Sequence, residues 1–102
     1  MPTILTSPSI AVGGPIHDAA RNGDTAAVQQ LLDGGADVNA LEFMTPLQMA
    51  AFSGQADVVE LLIERGADLN TSSSAMGTAL HAATSRGHTG VVEILLAAGS
   101  DP

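Results

Sequence analysis

The amino-acid sequence predicts an all-α solenoid of three stacked helix-turn-helix repeats, chiefly because the chain repeats itself. Thr45 to Asn70 reads TPLQMAAFSGQADVVELLIERGADLN, and imperfect copies of it run from Gly14 to Asn39 and from Thr78 to Asp101. The copies are offset by 31 and then by 33 residues. Self-similarity at this period indicates an array in which each unit buries its apolar face against its neighbours.

Repeat one is predicted to contain two short helices. The first runs from about Pro15 to Asn22, since the first turn of a helix tolerates a proline, and Gly23 breaks it. The second follows Asp24, whose carboxylate can accept hydrogen bonds from free backbone N–H groups, and runs to about Asp33.

The second helix of repeat one differs from its copies in a way that predicts an N-terminal cap. Gln30 stands where the later repeats have Leu61 and Ile94, and Ala27 stands where they have valine. An outermost unit has no upstream neighbour to cover that side, so polar residues belong there.

Repeats two and three are each predicted to form the same pair of helices. In repeat two, the first helix starts at Pro46 and the second spans about Ala56 to Glu64, with apolar residues at helical spacing. In repeat three, the helices are expected over about Ala79 to Arg86 and Thr89 to Ala97, with a break at Gly87.

The repeated motifs resemble those of the ankyrin repeat family. The repeats open with GPIH, TPLQ and TALH, continue with Ala-Ala or Ala-Thr pairs and a central glycine, and the first two close with GADVN and GADLN. The resemblance implies β-turn or hairpin fingers between repeats, with boundaries at about 13–41, 42–74 and 75–102. Residues 1–12 are interpreted as a partly disordered arm, or alternatively as a segment whose Ile4, Leu5 and Ile10 pack on repeat one.

The composition excludes several classes of partner. The net charge is −8, with three arginines as the strong cations and no lysine, which disfavours nucleic acids and anionic membrane surfaces. There is no cysteine, and no apolar run approaches the roughly 20 residues of a membrane span. Without a signal-peptide pattern, a cytoplasmic location is favoured.

The residues indicate neither an enzyme nor a metal or cofactor site. His17 and His81 occupy equivalent places in the TPLH-like openings, where the resemblance implies hydrogen bonds within and between repeats; Gln48 replaces histidine in repeat two. The histidines lack the short ligand spacing of a zinc site. No nucleophile elbow and no phosphate-binding loop occurs.

The resemblance implies that a partner protein binds a concave groove made by the fingers and first helices, and the negative charge favours a basic partner segment. The groove positions are Arg21, Asn22, Leu41, Glu42, Phe43, Met44, Phe52, Ser53, Ser74, Met76, Ser85 and Arg86. The apolar residues of the first finger, Leu41, Phe43 and Met44, either fold back as a local plug or form an exposed binding patch.

Repeat three carries no polar substitutions of the kind that mark a C-terminal cap. Its second helix keeps Val91, Ile94 and Leu95, which we expect to form a partly bare face. That expectation leaves two alternatives to the groove function. The chain is a structural, N-terminal part of a longer array, or it self-associates into a homo-oligomer through this face.

Overall fold

A computed structural model describes residues 15–40, 44–73 and 77–99, and the predicted arm over residues 1–12 lies outside them. The described residues form six helices and no strand. The helices are α1 (Pro15–Asn22), α2 (Thr25–Asp33), α3 (Pro46–Ser53), α4 (Ala56–Glu64), α5 (Ala79–Ser85) and α6 (Thr89–Ala97). The predicted all-α repeat fold is therefore confirmed.

Local side-chain chemistry explains where several helices begin. The Asp24 carboxylate accepts a hydrogen bond from the Ala27 backbone N–H at 3.1 Å, as predicted for α2. Thr45 and Gln48 form a reciprocal capping box at the start of α3, in which each side chain accepts from the other's backbone N–H. Thr78 and His81 repeat that arrangement at the start of α5.

The helices stack in two rows. The first helices, α1, α3 and α5, contact one another in that order, and the second helices, α2, α4 and α6, do the same. Alanines at 0% exposure, including Ala20, Ala50 and Ala83, let the first helices approach closely, while Val28, Val58 and Leu62 fill the layer between the rows. One continuous core thus joins the three repeats.

The hairpin fingers implied by the resemblance are not confirmed. Between repeats two and three, the described residues contain an isolated antiparallel bridge, in which Ser73 and Gly77 exchange backbone hydrogen bonds of 3.0 and 2.9 Å. The connection between repeats one and two is described on either side of residues 41–43.

Candidate functional site

The predicted groove residues on the first helices fall into two rows of equivalent positions at the helix ends. Arg21, Phe52 and Ser85 form one row, each at the same place in its repeat. Asn22, Ser53 and Arg86 follow them and form the other. Because α3 packs between α1 and α5, the structure brings the two rows together along one edge of the stack.

Phe52 and Arg86 make the most specific contact on this edge. The guanidinium carbon of Arg86 lies 4.8 Å from the centroid of the Phe52 ring, which is cation–π geometry. Phe52 is half-buried and Arg86 is exposed. A large aromatic ring at the helix ends, rather than between the helix rows, leaves apolar surface for another molecule.

Arg21 is held differently at the other end of the edge. It donates a hydrogen bond of 2.6 Å to the carboxylate of Asp18, one turn earlier on α1. Asn22, the next residue, is exposed. The edge therefore presents one cation that is already paired with a carboxylate and one, Arg86, that is stacked on an aromatic ring.

Side chains from the next repeat fix the backbone of these helix ends. The Gln55 side-chain amide donates to the Arg21 carbonyl at 3.0 Å, and Nε2 of His88 donates to the Phe52 carbonyl at 3.0 Å. Gln55 and His88 are equivalent residues that directly precede α4 and α6. Each repeat thus positions the groove residues of the repeat before it.

The finger side of the predicted groove is only partly described. Leu41, Glu42 and Phe43 of the first connection, and Ser74 and Met76 of the second, lie outside the described residues. Met44 is described, and at 5% exposure it belongs to the hydrophobic core. Of the two alternatives for Met44, the structure shows the packed one, so this side chain offers no surface to a partner.

The exposed apolar residues of repeat three are not the ones that we predicted. Val91 and Leu95 are 2% and 0% exposed, and Ile94 packs against the core from the side of α6 that faces α4. The opposite side of α6 carries Val92 and Leu96, and Leu96 is 45% exposed. The predicted residues Val91, Ile94 and Leu95 lie on the upstream side of α6, which repeat two covers.

The sequence held a signal for the correct side. Gln30, the polar cap residue, aligns with Leu61 and Ile94, and a cap is polar where it lacks an upstream neighbour. Ile94 therefore had to point upstream. Each residue turns about 100° around a helix. Val92 and Leu96, which are two residues from Ile94 in either direction, therefore lie on the opposite, downstream side.

In repeats one and two, the TPLH-like positions make hydrogen bonds between repeats, as the resemblance implies, whereas His81 in repeat three bonds to Thr78 of its own repeat. Nε2 of His17 lies 2.6 Å from the Met44 carbonyl oxygen and 3.0 Å from that of Ala40. In repeat two the Gln48 amide donates to the carbonyls of Gly77 at 2.6 Å and Thr71 at 3.0 Å. Within residues 15–40, 44–73 and 77–99, no three His, Asp or Glu side chains are grouped closely enough to hold a metal ion.

These observations define a class of protein, a helical repeat solenoid whose consecutive helix pairs are joined by side-chain to backbone hydrogen bonds. Comparison with family models then identifies it: a model of ankyrin repeats matches residues 16–102 in three copies, and the chain belongs to the ankyrin repeat family. Members of this family are generally protein–protein interaction modules. No curated protein matches the sequence significantly.

Across the part of the chain that the structure describes, no helix has both the length and the hydropathy needed to cross a membrane.

Proposed function

We propose that this chain is a non-catalytic module that binds a segment of a partner protein along the ends of α1, α3 and α5, without a cofactor. The observation that carries the proposal is the Phe52–Arg86 pair. A partly exposed aromatic ring next to an arginine combines two residue types that are enriched at protein–protein interfaces.

The partner segment is expected to bring an apolar side chain to Phe52. The neighbouring positions, Asn22, Ser53 and Ser85, are small or polar, which suits hydrogen bonds at the rim of an interface. We place the centre of this surface at Phe52, which lies on the middle helix α3, and at Arg86, which follows α5 and contacts the Phe52 ring. The predicted contacts of Leu41, Glu42 and Phe43, and those of Ser74 and Met76, would extend it on the finger side.

Charge should guide the encounter more than it sets the final affinity. The net charge of −8 favours a partner whose approaching surface is basic, since long-range attraction raises the association rate. Close to the edge, Asp18 is paired with Arg21 and so adds little local negative charge. The apolar anchor at Phe52 is therefore expected to contribute more to affinity than any single ion pair.

We predict that Phe52→Ala weakens partner capture at least about tenfold while leaving the fold intact, because truncating an aromatic anchor at the centre of an interface costs ~2 kcal/mol or more. A photo-crosslinking amino acid placed at Ser53 would report contact with proteins in a cell lysate. The same cross-linker at Glu60, exposed on α4 in the other helix row, is the position control. Circular dichroism checks that each variant is folded.

The proposal requires that the cross-linker at Ser53 gives a cross-linked product with a partner, and that the cross-linker at Glu60 gives little or none. Phe52→Ala should remove the Ser53 product. Glu60→Ala is the matched substitution control and should leave the Ser53 product unchanged. Equal products at Ser53 and Glu60, or a Ser53 product that survives Phe52→Ala, would place the interaction elsewhere on the molecule.

A further inference from the structure

We propose that the outer side of repeat three is a second binding site, separate from the groove. It would accept a partner segment that presents backbone carbonyl groups next to an apolar side chain. We call this site the third-repeat face. It is an open depression of about 300 Å³, and its lining residues are Leu80, His81, Thr84, Val92 and Leu96.

The two earlier repeats show what covers an equivalent surface. In repeat two the corresponding residues include Leu47, Gln48 and Val59, all buried, on the helices α3 and α4 that contact α5 and α6 of repeat three. The connecting segment after α4 supplies two backbone carbonyl groups, from Thr71 and Gly77, that accept hydrogen bonds from Gln48. The covering structure thus combines apolar contact with a pair of carbonyl acceptors.

Repeat one is covered in the same way, with nearly the same geometry. His17 donates from Nε2 to the carbonyl oxygens of Met44 and Ala40, at the same 2.6 and 3.0 Å as Gln48 to its two acceptors. The Met44 side chain is buried in the core beside its accepting carbonyl. An apolar side chain and a carbonyl acceptor therefore arrive on the same short segment.

His81 holds the corresponding donor ready in repeat three. Its Nδ1 accepts from the Thr78 backbone N–H at 3.3 Å in the capping box, so in the neutral ring the hydrogen is on Nε2. Nε2 of His81 has no partner among the described residues, and the side chain is exposed. A donor that is directed at two carbonyls in the earlier repeats is here open to another molecule.

The apolar part of the site is open as well. Val59 is fully buried in repeat two, whereas its equivalent Val92 is only partly buried. Ile63 is half-buried, whereas its equivalent Leu96 is 45% exposed. Apolar surface that its equivalents bury remains available for association.

A second copy of this chain fits the face less well than a carbonyl-bearing segment. Two copies joined face to face would offer each His81 the hydroxyl of Thr84, which already donates to the Leu80 carbonyl, instead of two backbone carbonyls. Joined head to tail, the face would place Val92 and Leu96 against the side of repeat one that carries Asp18, Asp24 and Gln30, and the two carboxylates there already accept from Arg21 and from the Ala27 N–H. Burying charged carboxylates against apolar side chains is unfavourable, so a different partner segment is favoured.

The test uses a peptide of residues 71–85, TSSSAMGTALHAATS, acetylated and amidated so that it carries no formal charge at pH 7 with neutral histidine. This stretch supplies both carbonyls that Gln48 contacts, together with α5, which covers repeat two. Titrated into the ¹⁵N-labelled full chain, it should give saturable NMR shifts at Leu80, His81, Thr84, Val92 and Leu96, with a Kd of roughly millimolar.

Two substitutions of His81 isolate the donor. Glutamine should retain binding, because Gln48 performs both the capping and the donating roles in repeat two. Glutamate should preserve the capping box but cannot donate, so we expect binding to weaken about tenfold or more. Leu96→Ser should also weaken binding, whereas Phe52→Ala in the groove should leave it unchanged.

Three results would overturn the proposal. One is the absence of saturable shifts up to about 5 mM peptide. Another is a set of shifts at Leu47, Gln48 and Val59, which would mean that the peptide displaces repeat three from repeat two. The third is a concentration-dependent dimer in light scattering that Leu96→Ser dissolves, which would assign the face to a second copy.

Discussion

Replacing His17 with leucine is expected to lower the free energy of unfolding by about 2–4 kcal/mol. His17 is 1% exposed, and its Nε2 donates to the Met44 and Ala40 carbonyls at 2.6 and 3.0 Å. Leucine would keep the apolar contact but leave those acceptors short of a donor in a place that water reaches poorly. Such unsatisfied groups lose the hydrogen bond and retain the desolvation penalty.

The rescuing variant makes this prediction specific. His17→Gln should retain most of the stability, since Gln48 makes the same pair of hydrogen bonds in repeat two. Urea unfolding followed by circular dichroism measures both variants against the parent chain. A leucine variant within about 0.5 kcal/mol of the parent, or a glutamine variant as unstable as leucine, would show that packing and not the donor matters at this position.

Most helix boundaries could be predicted because the residues that set them act locally. Pro15 and Pro46 start helices and Asp24 caps one, and none of these effects requires knowledge of the tertiary structure. α5 ends at Ser85, one residue before the predicted end, which is the usual uncertainty at a helix terminus.

The direction of packing was harder to predict than the helices themselves. Val91, Val92, Leu95 and Leu96 are all apolar, so hydrophobicity alone does not say which pair is covered. The answer depends on which neighbour each side meets, a property of the stack. Comparison of the repeats contained the answer, because the polar cap position in repeat one marks the upstream side.

In the candidate groove, too, the sequence predicts which residues share a surface but not the contacts between them. That Phe52 and Arg86 belong to one surface followed from their places in the repeats. That Arg86 stacks on Phe52, and that the His88 side chain reaches the Phe52 carbonyl, depends on distances between repeats. Met44 is buried, and its carbonyl accepts a hydrogen bond from His17, a long-range contact that no local pattern predicts.

The His88 contact leads to the other large effect, at Gly54. Gly54 ends α3 with φ of 75°, and a Cβ there would lie 2.7 Å from the His88 ring. Gly87, its equivalent after α5, has φ of 73° and nothing within 4 Å of an added Cβ. The two glycines therefore have the same backbone conformation but differ in whether a neighbouring repeat occupies the adjacent space.

Alanine at either position should cost about 1–2 kcal/mol for the left-handed backbone. At Gly54, alanine must also displace His88, which loses its hydrogen bond to the Phe52 carbonyl and its packing, for about 1–3 kcal/mol more. Paired urea titrations of Gly54→Ala and Gly87→Ala measure the difference. Equal losses would mean that the His88 contact contributes nothing. A larger loss at Gly54 would show that the junction supporting Phe52 also stabilises the stack, so groove geometry and stability depend on the same side chain.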